Sequence, residues 1–247
     1  MIKLVVFDFD GVIIDSAHEC FVVCQEIVKR LGWKSIDKLE KQFLEARSFV
    51  LAAEDCYYIV RSFNDNLNID FSNLTQEEFE KLKLKLNGDF QGFVKLFYEI
   101  RYDMQKKDIE NWLKLHRLYP GVKEAFSDIS KKYKIAIATT KDKKSALDLL
   151  KANGLYIKEN QITGRELAHD KLTQLKILSK NLNIKPEEIF FIEDMLQNLK
   201  PCLDIGCKGA LVSWGYSNKA QQEEAKKLGI FVLKPQDLIK QIPGIQN

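Results

Sequence analysis

Short apolar runs that recur along the chain, with helix-like stretches between them, constrain the fold more than any other feature of the sequence. Five such runs lie at residues 3–7, 134–139, 189–192, 208–212 and 230–233. They are rich in Val, Ile and Phe without strict alternation, a pattern typical of strands that are covered on both faces. The sequence therefore predicts an α/β fold, a doubly wound parallel sheet of Rossmann-like type with helices on both sides.

A different pattern fills the segment between the first and second runs. It contains long helical stretches with scattered aromatic residues, including residues 43–61 and 79–86, and no convincing strand. The turn-forming residues 119–121, Tyr-Pro-Gly, then precede an amphipathic helix over 122–132. We therefore expect an inserted all-helical domain at residues 17–117 and an α/β core made of residues 1–16 and 118–247.

Composition narrows the classes of partner and location. The 247 residues are 45% hydrophobic, enough for a substantial core, and 38 basic residues against 35 acidic ones leave a net charge of +3. Basic and acidic residues are intermixed, which predicts no nucleic-acid-binding tail, and no membrane partner is expected either. Five cysteines without paired metal spacing and a start that lacks secretory-signal features predict a cytoplasmic protein.

Two acids at the end of the first apolar run are the strongest sign of chemistry. Asp8 and Asp10 lie two residues apart at the predicted carboxyl end of a parallel strand, where ligands bind in open α/β sheets. Clustered carboxylates need a cation or a shared proton. Asp8 can then attack phosphorus as a metal-bound nucleophile while Asp10 transfers protons. Gly11 gives the chain freedom to leave the strand sharply.

Three later segments also place polar residues at the ends of predicted elements. Thr139 ends the second run. Thr140 follows it and is the alternative for any function that needs a hydroxyl group at this strand end. Lys171 opens an amphipathic helix that extends to about residue 182, where a fixed cation can stabilise developing negative charge. The run 189–192 leads into Glu193 and Asp194.

In this order, the four segments resemble the four motifs of the haloacid dehalogenase (HAD) superfamily. The first motif is complete in Asp8, Asp10 and Val12, and Thr139 and Lys171 match the second and third. The fourth resembles an acid-acid-x-x-x-Asn form, with Asn198 four residues after Asp194. Residues 119–139 and 212–233 also resemble phosphoglycolate-phosphatase-type members, in which a helical cap selects the substrate.

This resemblance implies a magnesium-dependent phosphatase that hydrolyses a small phosphorylated metabolite through an aspartyl-phosphate intermediate. Thr139 and Lys171 would then hold phosphoryl oxygens, and Gly11, Thr140 and Arg47 are the candidate substrate contacts. Arg47 is chosen because it lies between predicted cap helices and a guanidinium can grip an anionic group through two hydrogen bonds. The expected Mg²⁺ ligands are Asp8, Asp10 through its carbonyl, Asp194 and Asn198.

Other functions of the same fold stay open at this point. A strict dehalogenase would lack Asp10, so that activity is disfavoured. A phosphosugar mutase would use the same Asp8 and Asp10, but Cys20 falls where such relatives carry a His, with His18 nearby. The third alternative is an inactive scaffold with a binding or regulatory role. The substrate and the oligomeric state cannot be predicted from the sequence.

Overall fold

The structure, a computed structural model, describes residues 1–238 apart from the side chain of Gln236, so residues 239–247 of the predicted core lie outside the described residues. From residue 117 onward its strands alternate with helices. The strands are β1 (Leu4–Phe7), β2 (Ile14–Asp15), β3 (Arg117–Leu118), β4 (Lys134–Ala138), β5 (Ile162–Thr163), β6 (Ile189–Glu193), β7 (Lys208–Val212) and β8 (Phe231–Leu233).

The helices fall into a group before β3 and a group after it. The first group is α1 (Ala17–Leu31), α2 (Glu40–Ala46), α3 (Ala53–Asn64), α4 (Gln76–Lys85), α5 (Phe90–Lys107) and α6 (Ile109–Lys114). The second is α7 (Val122–Ser130), α8 (Lys143–Ala152), α9 (Lys171–Leu182), α10 (Leu196–Asp204) and α11 (Lys219–Lys227). Within residues 1–238, no helix has the length and apolar character needed to cross a membrane.

Six strands form one parallel sheet in the order β5-β4-β1-β6-β7-β8, which confirms the predicted doubly wound fold. The first strand along the chain is central, and the chain adds strands first on its β4 side and then on its β6 side. Strand order therefore reverses at β1, and such a switch point opens a crevice at the carboxyl ends of the strands. The edge strand β5 was not predicted, because two residues carry too little pattern to be recognised.

The chain divides into two compact units, residues 1–15 with the chain from 117 onward, and residues 16–116. In the first unit, successive side chains of β1 point to opposite faces of the sheet. Leu4 and Val6 pack with buried residues of α9, α10 and α11 on one face. Phe7 meets Phe126 of α7, with 5.4 Å between ring centroids, on the other. Both faces are therefore covered, which explains the continuous apolar runs.

The second unit is helical and has its own apolar core, built mainly from α1, α3 and α5. The predicted helical stretch 43–61 is not continuous: α2 ends at Ala46, a 3-10 turn spans Arg47–Phe49, and α3 begins at Ala53. The Asp55 carboxylate accepts backbone hydrogen bonds from Leu51 and Ala52 and so fixes a new helix start. All five cysteines of the chain are buried and free of disulfides. The cytoplasmic location stays a prediction.

Candidate active site

Three adjacent strands bring the predicted site residues to one edge of the sheet. In the parallel register, Phe7 of β1 pairs with Ile137 of β4 on one side and Ile192 of β6 on the other. The next residues along these strands therefore lie side by side. Asp8 follows β1 and donates its backbone N–H to the Ile192 carbonyl at 2.8 Å. Thr139 follows β4, while Glu193 ends β6 and Asp194 follows it.

Lys171, the first residue of α9, makes the central contact of the site. Its Nζ donates to the Asp8 carboxylate and also, at 2.7 Å, to the Ala138 carbonyl at the end of β4. Glu193 Oε2 lies 3.8 Å from the same nitrogen. The sequence prediction that Lys171 serves the nucleophile thus has a direct geometric counterpart, with both side chains buried.

Three buried carboxyl groups converge beside this lysine. Ligand oxygens of Asp8, Glu193 and Asp194 all lie within 4.8 Å of one another. The backbone N–H groups of Asp194 and Met195 donate to Glu193 Oε1, at 3.1 and 3.0 Å. Glu193 Oε2 is buried and has no hydrogen-bond partner among the described residues. That oxygen is available to a ligand from outside the chain.

Burial dominates the electrostatics of this group. It raises the pKa of Asp8 to about 8, and the neighbouring Glu193 adds to the rise while Lys171 opposes it. Burial likewise raises the pKa of Glu193 to about 8, against the attraction of Lys171. Burial alone opposes the charge of Lys171, yet Asp8 and Glu193 hold its pKa above the usual value. When ionised, the carboxyl groups thus carry more negative charge than Lys171 can balance.

A divalent cation fits this imbalance. Together with Asp10, which pairs with Lys141, the site brings four carboxyl groups against two ammonium groups, so full ionisation leaves two negative charges. Carboxylate oxygens are the ligands that Mg²⁺ prefers. Asp8, Glu193 and Asp194 are therefore the residues that would hold the ion. Glu193 enters this set from the structure, since the sequence alone left its role ambiguous.

Thr139 and Asp10 lie at the rim of the same site. The Thr139 hydroxyl oxygen accepts a hydrogen bond from the Lys141 backbone N–H at 3.0 Å, so its own hydrogen is directed to another acceptor. Gln174 of α9 donates to the Thr139 carbonyl at 2.7 Å and holds the end of β4 in place. The Asp10 carboxylate faces Lys141, with 3.4 Å between Oδ1 and Nζ.

A loop after β7 encloses Gly11 and Asp194. The Tyr216 backbone N–H donates to Asp194 Oδ2 at 2.7 Å, and the Trp214 indole donates to the Val12 carbonyl at 3.1 Å. Gly11 has a φ of +89°, and a Cβ at this position would lie 2.1 Å from Asp194 Oδ2. Gly11 is therefore required both for the turn and for the close approach of Asp194.

The contacts of three other predicted site residues, Arg47, Asn198 and Thr140, neither support nor contradict binding of substrate or metal. Arg47 is buried in the turn before α3, and its Nη1 donates to the Val50 carbonyl at 2.6 Å. Asn198 lies half-buried in the first turn of α10, where its backbone N–H donates to the Met195 carbonyl at 3.0 Å. Thr140 lies half-buried beside Thr139. Substrate binding by Arg47 and Thr140 and metal binding by Asn198 stay predictions.

Two residues at the site were not singled out by the sequence. Lys141 is buried although it lies in a Lys-rich segment, and Tyr216 contributes a backbone group that carries no residue-type signal. The only available clue to Lys141 was its place two residues after Thr139. Side-chain direction in a connecting loop does not follow a periodic pattern, so that clue does not predict burial.

Comparisons with known proteins agree with this geometry. A family model described as haloacid dehalogenase-like hydrolase matches residues 2–206. A phosphoglycolate phosphatase of Vibrio vulnificus is 23% identical over 221 residues, covering 88% of this chain and 86% of the relative. Solved structures of a predicted phosphoglycolate phosphatase from Haemophilus somnus and a predicted phosphatase from Clostridium acetobutylicum superpose with TM-scores of 0.68 and 0.67, each at 18% identity and 97% coverage of both chains. These matches confirm the resemblance to phosphatase-type members and the prediction of an enzyme.

Proposed function

We propose that this chain, which belongs to the haloacid dehalogenase-like hydrolase family, is a magnesium-dependent phosphatase that acts on small phosphorylated metabolites. One observation carries the proposal: Lys171 contacts Asp8 inside a group of buried carboxylates whose negative charge it does not balance. Such a site suits a dianionic phosphoryl group only when a divalent cation is also bound, because the carboxylates would otherwise repel it.

Asp8 is the proposed nucleophile. Its carboxylate attacks phosphorus and forms an aspartyl-phosphate as the bond to the leaving oxygen breaks. Asp10 donates a proton to that leaving oxygen and then accepts one from the water that hydrolyses the intermediate. Bound Mg²⁺ would neutralise carboxylate charge and polarise the phosphoryl group.

Thr139 and Lys171 are the proposed holders of the phosphoryl oxygens. The Thr139 hydrogen is directed away from Lys141, whose backbone N–H occupies the hydroxyl oxygen. Lys171 carries a fixed positive charge that can stabilise the negative charge developing during phosphoryl transfer. Both residues are anchored by the end of β4, so their positions depend on the sheet and not on a mobile loop.

The helical unit is proposed as the cap that selects the substrate, with Arg47 and Thr140 as candidate contacts. The relatives named as phosphoglycolate phosphatases make phosphoglycolate the first compound to test. Other phosphorylated acids, sugar phosphates and nucleotides complete the panel. Turnover of one class well above an aryl phosphate would identify the substrate class.

A mutase is disfavoured by the surroundings of Cys20, which falls where such relatives carry a His. Cys20 is buried, and burial together with the charge of Glu19 raises the pKa of its thiol to about 12. A thiol in this environment does not exchange protons at neutral pH. Release of inorganic phosphate from sugar phosphates, without isomerisation, would separate the phosphatase from the mutase.

The covalent scheme is tested by rapid acid quenching during a single turnover. An aspartyl-phosphate intermediate should be trapped as phosphate on Asp8, detected by peptide mass. Turnover without any trapped phosphoenzyme, even when hydrolysis is slowed by Asp10→Asn, would contradict the scheme; no turnover across the panel would favour a binding protein.

A further inference from the structure

Lys141 is a buried cation whose backbone is fixed on both sides. It lies two residues after Thr139, and its N–H donates to the Thr139 hydroxyl at 3.0 Å. Its carbonyl accepts a hydrogen bond from the Arg165 N–H at 3.2 Å. Its side chain is 1% exposed, with Nζ 3.4 Å from Asp10 Oδ1. The two backbone hydrogen bonds that fix Lys141 beside Thr139 therefore also hold its ammonium group near Asp10.

The fold gains little from a lysine at this position. Lys141 precedes the N-cap of α8, Asp142, and a cation near a helix N-terminus is unfavourable. Burying an ammonium group also has a cost unless a partner compensates. Lys144 of the same segment shows the ordinary arrangement, with 76% exposure and an ion pair to Asp148. Stability of the helix therefore does not explain why Lys141 is buried.

Asp10 lies apart from the three carboxylates that converge beside Lys171. Among the described residues, that group contains Asp8, Glu193 and Asp194 and not Asp10. An ammonium group has only donors, so the oxygen that faces Lys141 must accept. A transferable proton on Asp10 is then carried by Oδ2.

We infer that Lys141 is a positioning residue that orients Asp10 so that Oδ2 presents the proton to the leaving group. The inference rests on the proposed phosphatase function and adds a role that the sequence motifs do not assign. Lys141 itself neither attacks nor gives up a proton. It acts through Asp10, so its effect must depend on how much the leaving oxygen needs that proton.

The test compares two phosphate esters that differ in this need. Glycerol 2-phosphate has an alkoxide leaving group that requires a proton, whereas p-nitrophenolate leaves without one. The parameter is kcat/KM, because it reports the steps up to the release of the leaving group and not the later hydrolysis of the enzyme intermediate. Lys141→Met should lower kcat/KM by about 100-fold for glycerol 2-phosphate and by less than about 3-fold for p-nitrophenyl phosphate.

A double-substitution cycle tests the route through Asp10. In an Asp10→Asn background, Lys141→Met should change kcat/KM for glycerol 2-phosphate by less than about 2-fold. Lys141→Arg, which keeps the cation, should restore most of the preference between the two esters. Lys144→Met in the same segment is the control and should leave both values unchanged. Thermal denaturation of each variant establishes that it is folded.

Each outcome has a distinct meaning. Equal losses for both esters, or full losses in the Asp10→Asn background, would overturn the inference and make Lys141 a substrate-binding or structural residue. If Lys141→Met does not fold, the same judgement rests on Lys141→Gln, which also removes the cation: a larger loss for glycerol 2-phosphate than for p-nitrophenyl phosphate supports the inference, and equal losses overturn it. If the wild-type protein turns over neither ester nor any compound of the panel, the proposed function itself is wrong.

Discussion

Each unit of the molecule buries charged side chains, and the two clusters differ in whether their charges are matched. In the helical unit, Glu19 of α1 receives hydrogen bonds from Arg101 Nε and Nη2 at 2.7 and 2.6 Å and from the Trp112 indole at 3.2 Å. In the α/β unit, three carboxylates converge on Lys171 and one Glu193 oxygen has no hydrogen-bond partner among the described residues. A matched cluster holds a fold together, whereas an unmatched one indicates a ligand.

The largest expected effect comes from removing the nucleophile of the unmatched cluster. Asp8→Asn should lower kcat by about 10⁴-fold or more, equivalent to about 5.5 kcal/mol in the barrier. The variant should be at least as stable as the wild type without metal, since one of the buried like charges is gone. Phosphate-release assays and thermal denaturation measure the two effects.

Asp204→Asn, at an exposed position of α10, is the matched control and should change neither quantity. Retained activity in Asp8→Asn would remove Asp8 from the mechanism. A loss of stability in that variant would mean that the carboxylates beside Lys171 are structurally matched after all, and the contrast with the helical unit would disappear.

The next effect concerns the matched cluster. Glu19→Ala leaves Arg101 buried without its partner, and we expect a loss of about 3–5 kcal/mol in the free energy of unfolding of the helical unit. Trp112 donates to the removed carboxylate, so its fluorescence in a urea titration is a local probe. Replacing both partners, Glu19→Met with Arg101→Met, should recover much of the loss because neither charge of this pair then remains buried.

Glu26→Ala provides the comparison on the same helix. Glu26 pairs with Arg30 at 3.2 Å on the surface, and such exposed pairs contribute at most about 1 kcal/mol. Similar losses for Glu19→Ala and Glu26→Ala would show that burial adds nothing to the Glu19 pair.

Binding of Mg²⁺ should stabilise the folded protein, an effect of intermediate size. An ion that binds only the folded protein stabilises it by about 2.7 kcal/mol at 100 times its Kd, so the thermal midpoint of the wild type should rise with Mg²⁺ concentration. Asp194→Asn should abolish most of that rise while leaving the metal-free protein folded, because an Asn oxygen can still accept from Tyr216. An unchanged rise in this variant would exclude Asp194 as a ligand.

The smallest predicted effect is at Gly11. Alanine at a φ of +89° costs about 1–2 kcal/mol in backbone strain, and its Cβ would displace Asp194. Gly11→Ala should therefore lower stability slightly and raise the Mg²⁺ concentration needed for half-maximal activity. Gly206→Ala has a similar positive φ with open space around its Cβ and should show the strain without the metal effect.

Most of the site could be predicted because it follows the strands. Once β1, β4 and β6 are recognised, parallel pairing requires Asp8, Thr139 and Asp194 to meet at one edge. What could not be predicted depends on side-chain direction and close packing. The burial of Lys141, the backbone contact from Tyr216 to Asp194 and the third carboxylate of Glu193 belong to that class. The helix start at Ala53 depends on a cap from Asp55 that no apolar pattern shows.

The central place of β1 also has a consequence for synthesis of the protein. Leu4 pairs with Lys134 on one side and with Ile189 on the other, so this apolar strand is made long before either neighbour exists. The whole helical unit is synthesised between β1 and β4, and it can fold on local contacts before β1 has a neighbouring strand. The contact between Asp8 and Lys171, 163 positions apart, can form only after α9 has been made, and the carboxylates of Glu193 and Asp194 join the site only after β6. Recovery of activity should therefore be among the last events in folding.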